Sequence, residues 1–383
     1  MDAGCELLTP IVEDSALHRH FRSLITGSGH IPAQEMLSEV FRRFPSPDGN
    51  LIRDFQTAGF DARIWELYVA AVGLCTGFDV QRPHDRPDFL FERHGVRAWI
   101  ECVTANPSQI RPDQVPKPGD GEEAVIRYYE HEVPVRLGGA LYSKLTKVPP
   151  YWELPHVKGE SLVFAIADFS DPGWFRTNAG ALTRYLFGLE AHVISPPGHP
   201  MEIVYQPIGE HDGSKKIPSG FFDLPGAEKI SAIFFSCEGT LPKFNRMGFD
   251  FSRHPFVRMT RVGGKYSFDS RVSIPTTFSY LVGDFSKEWR HGVSVFHNPR
   301  ALHPIPFEFF HGFAQHWREG DQLNNRMSEF SPMSSLTLVF AKKAPAVFSP
   351  SEDEMLRRLV QVQAQKWDAI QAMQAGYPWR PRS

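Results

Sequence analysis

Two acidic residues on neighbouring predicted strands are the part of this sequence best suited to chemistry. Asp88 opens the strand "DFLFER", and Glu101 lies near the end of the next strand, "VRAWIECVT". His94 and Gly95, which join the two strands, are typical of a tight hairpin turn. Because opposed ends of an antiparallel pair lie side by side, we expect the two carboxylates to converge.

The alternation of side chains along the second strand supports this expectation. Glu101 shares one face with Trp99 and Val103, while Ala98 and Ile100 occupy the aliphatic face. Two carboxylates held close together repel, and a divalent cation with oxygen ligands relieves that repulsion. The cation would be Mg²⁺ or Mn²⁺. Such an ion activates water and stabilises the charge that develops during phosphodiester hydrolysis.

The predicted elements around this hairpin form a regular order. A helix begins near Asp61, and a short strand "FDVQ" follows before the hairpin. A helix "RLGGALYSKLTK" and a buried strand "SLVFAIADF" come after it. The first helix carries Glu66, which shares a side with Arg63. Glu66 is therefore either a third acid of the site or half of an ordinary i,i+3 pair on a solvent-facing side.

This order of elements, together with "RPDFLFERHGVRAWIECV", resembles the PD-(D/E)XK nuclease superfamily, which includes many restriction endonucleases. Pro87-Asp88 matches its PD, and Glu101-Cys102-Val103 lies where its (D/E)-x-K belongs. The resemblance covers residues 61–169. It implies a restriction-endonuclease-like core that hydrolyses nucleic acid, more often DNA, in a setting such as restriction or defence. It also implies metal ligation by Asp88, Glu101, the Cys102 carbonyl and Glu66.

Val103 departs from the family pattern, because it stands where the family has a lysine that acts on the attacking water. Some branches take this amine from the next core helix, so the resemblance points to Lys144 as the substitute and Lys147 as the second candidate. A lysine at a helix edge is more often solvated. If neither amine reaches the site, the chain is an inactive relative that binds nucleic acid or a protein partner.

Each carboxylate of the pair also has a purely structural interpretation. Aspartate after proline commonly starts a strand or turn, which would account for Asp88. Glu101 could pair with Arg97 on the same strand. A second alternative is therefore a non-nuclease α/β protein in which Glu101 is structural.

A basic segment at 243–265 combines six Lys or Arg residues and one Asp with several phenylalanines. Aromatic side chains among basic ones suit a surface that follows phosphates and stacks on bases. The weak candidates for nucleic-acid binding are Lys243, Arg246, Arg253, Arg258 and Arg261. Phenylalanine at alternate positions is equally what a half-buried strand needs, and this interpretation is favoured.

Composition indicates a soluble globular protein, and its net charge gives no global signal for nucleic acid, so that any surface for nucleic acid would have to be local. Of the 383 residues 42% are hydrophobic and 22% are charged, and the net charge is −3. The four cysteines form no C-x-x-C pair, which speaks against a structural zinc site or a disulfide framework. An acidic start and the lack of a long apolar run predict a cytoplasmic protein without a membrane partner. A homodimer is a further expectation.

The predicted fold class is mixed α/β (α+β). A helical N-terminal region at 1–60 precedes the nuclease-like core at 61–169. A β-rich elaboration follows at 170–345, and a C-terminal helix occupies 346–383.

Overall fold

The computed structural model describes residues 3–44, 50–106, 122–169, 179–194, 202–252, 254–266, 276–285, 288–343 and 345–374. The α-helices of this part of the chain are α1 (Ala3–Leu8), α2 (Arg19–Thr26), α3 (Ile31–Arg43), α4 (Leu51–Gln56), α5 (Phe60–Cys75), α6 (Glu122–Arg127), α7 (Val133–Leu145), α8 (Ala179–Phe187), α9 (Leu241–Ser252) and α10 (Pro350–Gln374). Its strands are β1 (Asp79–Gln81), β2 (Phe89–Arg93), β3 (Val96–Ala105), β4 (Ser161–Asp168), β5 (Leu189–Ile194), β6 (Glu202–Pro207), β7 (Glu210–Asp212), β8 (Lys216–Pro218), β9 (Ala232–Ser236), β10 (Val257–Lys265), β11 (Thr276–Leu281), β12 (Val293–His297), β13 (Ala314–Glu319), β14 (Gln322–Arg326) and β15 (Pro332–Ala341).

A large mixed sheet forms the centre of the protein, so the mixed α/β class is confirmed. Its eight strands run in the order β1-β2-β3-β4-β9-β12-β13-β14. The hairpin strands β2 and β3 are antiparallel, whereas β3, β4 and β9 run parallel to one another. The sheet therefore extends past position 169 and takes half of its strands from the later region of the chain.

Helices cover both faces of this sheet. On one face Ile64 and Tyr68 of α5 share a buried apolar cluster with Ala98 and Ile100 of β3. On the other face the leucines of α7 share a second buried cluster with Trp99 and Val103. The two faces of β3 are those that side-chain alternation predicts, since Trp99 and Val103 lie opposite to Ala98 and Ile100.

The turn between β2 and β3 fixes the register on which the site depends. His94 and Gly95 have φ angles of 51° and 76°. Two consecutive positive φ angles are typical of the type I′ turn, whose twist matches that of a two-stranded hairpin. As a result Phe89 lies opposite Ile100, and Asp88 immediately precedes this last pair.

The basic segment at 243–265 does not form one continuous strand, although its spaced phenylalanines are typical of a half-buried strand. The start of the basic segment is helix α9, and only Val257–Lys265 form a strand, β10. Phe244 and Phe249 are buried from the helix, five residues apart. The interpretation of this segment as a half-buried strand is therefore wrong for α9, which buries Phe244 and Phe249 in two different apolar clusters.

A second, three-stranded antiparallel sheet of order β11-β10-β15 lies beyond α9. Helix α10, which contacts this sheet, begins with a capping box formed by Ser349 and Glu352. The Ser349 backbone N–H donates to Glu352 Oε2 over 2.8 Å, and Glu352 N–H donates to Ser349 Oγ over 3.4 Å. Across the part of the chain described here, every helix is too short or too polar to span a bilayer.

Candidate active site

The candidate site begins where strand β3 extends beyond the end of its partner strand β2. Pairing with β2 ends at Ile100, whereas pairing with β4 continues to Ala105. The edge of β3 beyond Ile100 therefore has a strand on one side only. Neighbouring residues of a strand point their backbone groups to opposite sides, so the N–H and C=O of Cys102 lie on the side that β2 has left.

Asp88 occupies this open edge of β3. The Cys102 N–H donates to Asp88 Oδ2 over 2.7 Å. A carboxylate thus replaces the missing strand partner, and the Cys102 carbonyl faces the same side of the strand. Asp88 is 9% exposed, so its second oxygen reaches the space beside β3 from a nearly buried position.

Glu101 faces α7 and contacts the helix residue that the sequence singled out. Lys144 Nζ donates to Glu101 Oε1, and Tyr151 Oη donates to the same oxygen over 2.7 Å. Both contacts use Oε1, which leaves Oε2 as the oxygen able to bind a cation. The alternative pairing with Arg97 does not occur, because Arg97 Nη1 lies 3.6 Å from Glu160. Lys147 lies elsewhere, with Nζ 5.8 Å from the centre of the Tyr151 ring.

Glu66 is buried and paired with two arginines. Arg63 Nη1 donates to both of its carboxylate oxygens, over 2.9 and 3.1 Å, and Arg82 Nη2 donates to Oε2 over 3.1 Å. Arg82 also lies 3.8 Å from Asp88 Oδ1 and so links the two acids. Glu66 therefore forms the predicted i,i+3 pair with Arg63. The pair does not face solvent, however, because Glu66 is only 7% exposed.

These groups line one cleft with a volume of about 340 Å³. Helix α5 contributes Arg63 and Glu66, the end of β3 contributes Glu101 to Thr104, and α7 contributes Lys144. Asp88 and Asp54 complete the acidic part of the lining. The structure thus brings together the four site residues predicted to act through their side chains, and Cys102 with them.

Burial makes the acidic pair hard to ionise. The pKa of Asp88 rises to about 7 because of burial and the repulsion of Glu66, against the opposing effects of the Cys102 N–H and Arg82. The pKa of Glu101 also rises to about 7, through burial and the repulsion of Asp88, against Lys144 and Tyr151. The nearby cations therefore do not fully compensate the buried negative charge.

Burial and neighbouring charges also shift the pKa values of Lys144, Tyr151 and Glu66. Burial by itself lowers the pKa of Lys144, but the attraction of Glu101 outweighs it and the net pKa is raised. Burial and Glu101 raise the pKa of Tyr151, so its phenol stays protonated and can donate. Burial raises the pKa of Glu66, and its two arginines oppose that rise.

The raised pKa values of the acidic pair predict an unusual dependence of stability on pH. The folded protein holds these two protons up to about pH 7, whereas the ordinary values are 3.8 and 4.5. The folded state therefore binds more protons between about pH 4 and pH 7, and the free energy of unfolding falls as pH rises through this window. Urea denaturation of the metal-free protein across the window measures this. We expect a decrease of more than about 1.4 kcal/mol, the equivalent of one pKa unit.

The control for this prediction is the Asp88→Asn, Glu101→Gln double variant. It lacks both titrating groups and keeps their size, so its decrease over the same window should be clearly smaller. Equal slopes in the two proteins would show that the acidic pair titrates normally.

Three of the basic residues considered for nucleic-acid binding are buried. Lys243, Arg246 and Arg261 are 2–3% exposed. Arg246 and Arg261 both donate to Glu238, and Lys243 Nζ donates to the Glu288 carbonyl over 2.8 Å. Because these three side chains are buried, they cannot contact the phosphates of a nucleic acid. The cause is that α9 and β10 turn these side chains inward towards one carboxylate.

Of the remaining two basic residues, Arg258 is half-buried and pairs with Asp353 of α10, with 2.7 Å between Nε and Oδ1. Arg253 lies outside the described residues. The candidates that the structure describes, Lys243, Arg246, Arg258 and Arg261, therefore give no support to a nucleic-acid surface.

No family model matches this chain, and neither a curated protein nor a solved structure is similar to it.

Sequence reasoning missed Arg82 and Tyr151, which contact the acidic residues, and Asp54, which lines the cleft. A signal for Arg82 exists, because β1 pairs with β2 and Gln81 lies opposite Leu90. Continuing this antiparallel register by one residue brings Arg82 to the end of β2 where Asp88 lies. Tyr151 follows α7 in a short turn, and its contact with Glu101 depends on tertiary packing alone.

Proposed function

We propose that this protein is a metal-dependent nuclease with a divergent PD-(D/E)XK site. The observation that carries the proposal is the contact of Lys144 with Glu101 beside Asp88. An amine from α7 thus stands next to the acidic pair, in a chain whose motif position holds Val103. The order of α5, β1, the β2–β3 hairpin, α7 and β4 is also the order that the resemblance requires.

The donor set fits a hard divalent cation such as Mg²⁺ or Mn²⁺. Asp88, Glu101 and the Cys102 carbonyl offer only oxygen, the donor that these ions prefer. The raised pKa values of the two acids indicate an uncompensated need for positive charge at this place. When bound, the ion would activate water and stabilise the charge of phosphodiester hydrolysis. Glu66 would contribute through Arg82, because its own oxygens already accept from two arginines.

The chain's own groups would orient the reacting water and the phosphate. Tyr151 and Lys144 both donate to Oε1 of Glu101 and so fix the orientation of its carboxylate. The second oxygen, Oε2, would then bind the ion. Lys144, which donates to Glu101, would lie beside a water held there, and its positive charge would offset the charge of the transition state. Arg63 and Arg82 hold Glu66 in place, and they add positive charge along the wall of the cleft that a phosphate would follow.

The test is cleavage of duplex DNA, single-stranded DNA and RNA by the full chain with millimolar Mg²⁺ or Mn²⁺. The isosteric variants Asp88→Asn and Glu101→Gln remove charge without changing size. We expect each to lower the cleavage rate by at least about 10²-fold, because each removes a metal ligand and an electrostatic contribution. The matched control is Glu160→Gln, the same chemical change outside the cleft lining, and it should leave the rate unchanged.

A binding-only protein is the second candidate function, and one observation favours it. Each acid of the cleft already has a cation nearby, since Arg63 lies beside both Glu66 and Asp54, Arg82 beside Asp88, and Lys144 beside Glu101. A cleft whose acids are already paired in this way could hold a ligand without catalysis. Nucleic-acid binding without metal-dependent cleavage of any of the three substrates would select this alternative. Absence of both binding and cleavage would leave Glu101 with a structural role.

A further inference from the structure

A second group of metal-ligating side chains lies where the N-terminal helices meet α5. One ligand atom from each of His18, His20 and Asp61 lies within 4.8 Å of the other two. His18 immediately precedes α2, His20 lies in its first turn, and Asp61 lies in the first turn of α5. The three residues are therefore brought together by two different helices. Asp61 is absent from the lining of the acidic cleft, as are both histidines.

The backbone at this group is held in place from the inside. The His18 N–H donates to the Gln56 carbonyl over 2.8 Å. Gln56 is fully buried, and its side chain accepts from Ile11 N–H over 2.8 Å and donates to the Thr9 carbonyl over 2.7 Å. The segment that leads to α2 is thus anchored at the end of α4, directly before α5.

The two imidazole rings are also positioned by packing. The His18 ring stacks on Phe60 with 5.0 Å between ring centres, and the His20 ring lies edge-on to His18 at 5.1 Å. Phe60 is the first residue of α5 and is followed directly by Asp61. One aromatic residue therefore orients the rings beside the carboxylate, and little freedom remains to be lost when a ligand binds.

One ring nitrogen of this group lacks a partner. Among the described residues, His18 Nδ1 is buried and has no hydrogen-bond partner. A buried polar atom without a partner is unfavourable, and coordination of an ion through this nitrogen would satisfy it. Burial lowers the pKa of both histidines. They are therefore neutral at pH 7, which is the form that binds a metal.

We propose that His18, His20 and Asp61 bind one transition-metal ion of the Zn²⁺ class. Two imidazoles and one carboxylate suit zinc and its neighbours, whereas magnesium prefers oxygen alone. Ligand atoms of a tetrahedral zinc site lie about 3.4 Å apart, so the group has to close by about an ångström. Three protein ligands leave a fourth position for water. The ion links α2 to α5 and stabilises the contact of the N-terminal helices with the central sheet.

The test is titration of the full chain with Co²⁺, a spectroscopic substitute for Zn²⁺, in excess Mg²⁺. The magnesium keeps hard-cation sites filled, so the result does not depend on whether the acidic cleft is a nuclease site. We expect one equivalent of Co²⁺ with visible ligand-field absorption, which Zn²⁺ displaces. The variants His20→Ala and Asp61→Asn should each weaken binding at least tenfold, and the exposed His303→Ala should bind as the wild type does.

A thermal measurement guards against variants that misfold. Zn²⁺ should raise the melting temperature of the wild type and of His303→Ala by several degrees, and should raise that of Asp61→Asn much less. Circular dichroism checks that Asp61→Asn, which preserves size at a half-exposed position, is folded. Absence of a Co²⁺ band in the wild type, or the same affinity in the wild type and a folded Asp61→Asn variant, would overturn the proposal.

Discussion

The Lys144→Met variant is expected to cleave nucleic acid about 10²–10³-fold more slowly than the wild type while it binds Mg²⁺ at least as tightly. The two effects separate because Lys144 has two roles in the proposed mechanism. Its charge offsets the developing negative charge at the phosphate, so its loss slows the reaction. Its positive charge also repels a cation bound through Glu101 Oε2, so its loss favours binding of the metal. Single-turnover cleavage and calorimetric titration with Mg²⁺ measure these quantities.

Two further variants make this prediction specific to Lys144. Lys147→Met removes an amine of the same segment that lies over Tyr151 instead, and it should change the rate less than about threefold. Lys144→Arg keeps the charge and should retain part of the activity. If Lys144→Met loses metal binding and activity together, or loses neither, the role assigned to this amine is wrong.

The Glu238→Gln variant is expected to lose about 3–5 kcal/mol of its free energy of unfolding. Glu238 is 1% exposed and accepts from Arg246 of α9 and Arg261 of β10. Removal of its charge leaves two buried guanidinium groups without a counter-ion, which costs far more than the pair itself contributes. Chemical denaturation at neutral pH measures the loss.

The matched control is Glu160→Gln, which breaks a partly exposed pair with Arg97 and should cost less than about 1 kcal/mol. A pH series adds a second check. Burial alone would raise the pKa of Glu238, but Arg261 and Arg246 outweigh burial and hold the pKa at about 2. The stability it contributes is therefore present above about pH 4.5 and is lost as pH falls towards 2. A loss below about 1 kcal/mol for Glu238→Gln would contradict this account.

Glu238 also explains why the basic segment was misleading in the sequence. Its charge pattern was visible, but the carboxylate that neutralises two of the arginines directly follows β9, on another element. Arg261 further donates to Ser335 Oγ over 3.0 Å, and Arg246 donates to Thr337 Oγ1 over 2.8 Å, so β15 completes the enclosure. Burial of this kind depends on the pairing of distant strands, and a local count of charges cannot show it.

Val103 stands where the family pattern has a lysine, and the structure shows what surrounds this position. Its side chain is buried in the apolar cluster that contains Leu137 and Leu141 of α7. Val103 is also one of the residues that line the cleft, so the lining is aliphatic at this point. The same helix, one turn further on from Leu141, brings Lys144 to Glu101. The geometry therefore accommodates both the aliphatic residue and the displaced amine.

The sequence by itself determined the local features of the site. Tight-turn residues at His94 and Gly95 and the alternation of β3 were enough to predict that Asp88 and Glu101 meet across a hairpin. Short-range patterns carry this information, because turn chemistry sets the register and the period of a strand sets the face.

Only the tertiary structure decided which groups surround that pair and how strongly they are buried. Arg82, Tyr151 and Lys144 reach the carboxylates from a neighbouring strand, a turn and a helix, and the raised pKa values follow from that enclosure. Local patterns also could not predict that β9 and its neighbours pair beside β4, or that α2 lies against α5. Such contacts form between segments far apart in the chain, and their positions depend on how whole faces pack together, which no local period of the sequence encodes.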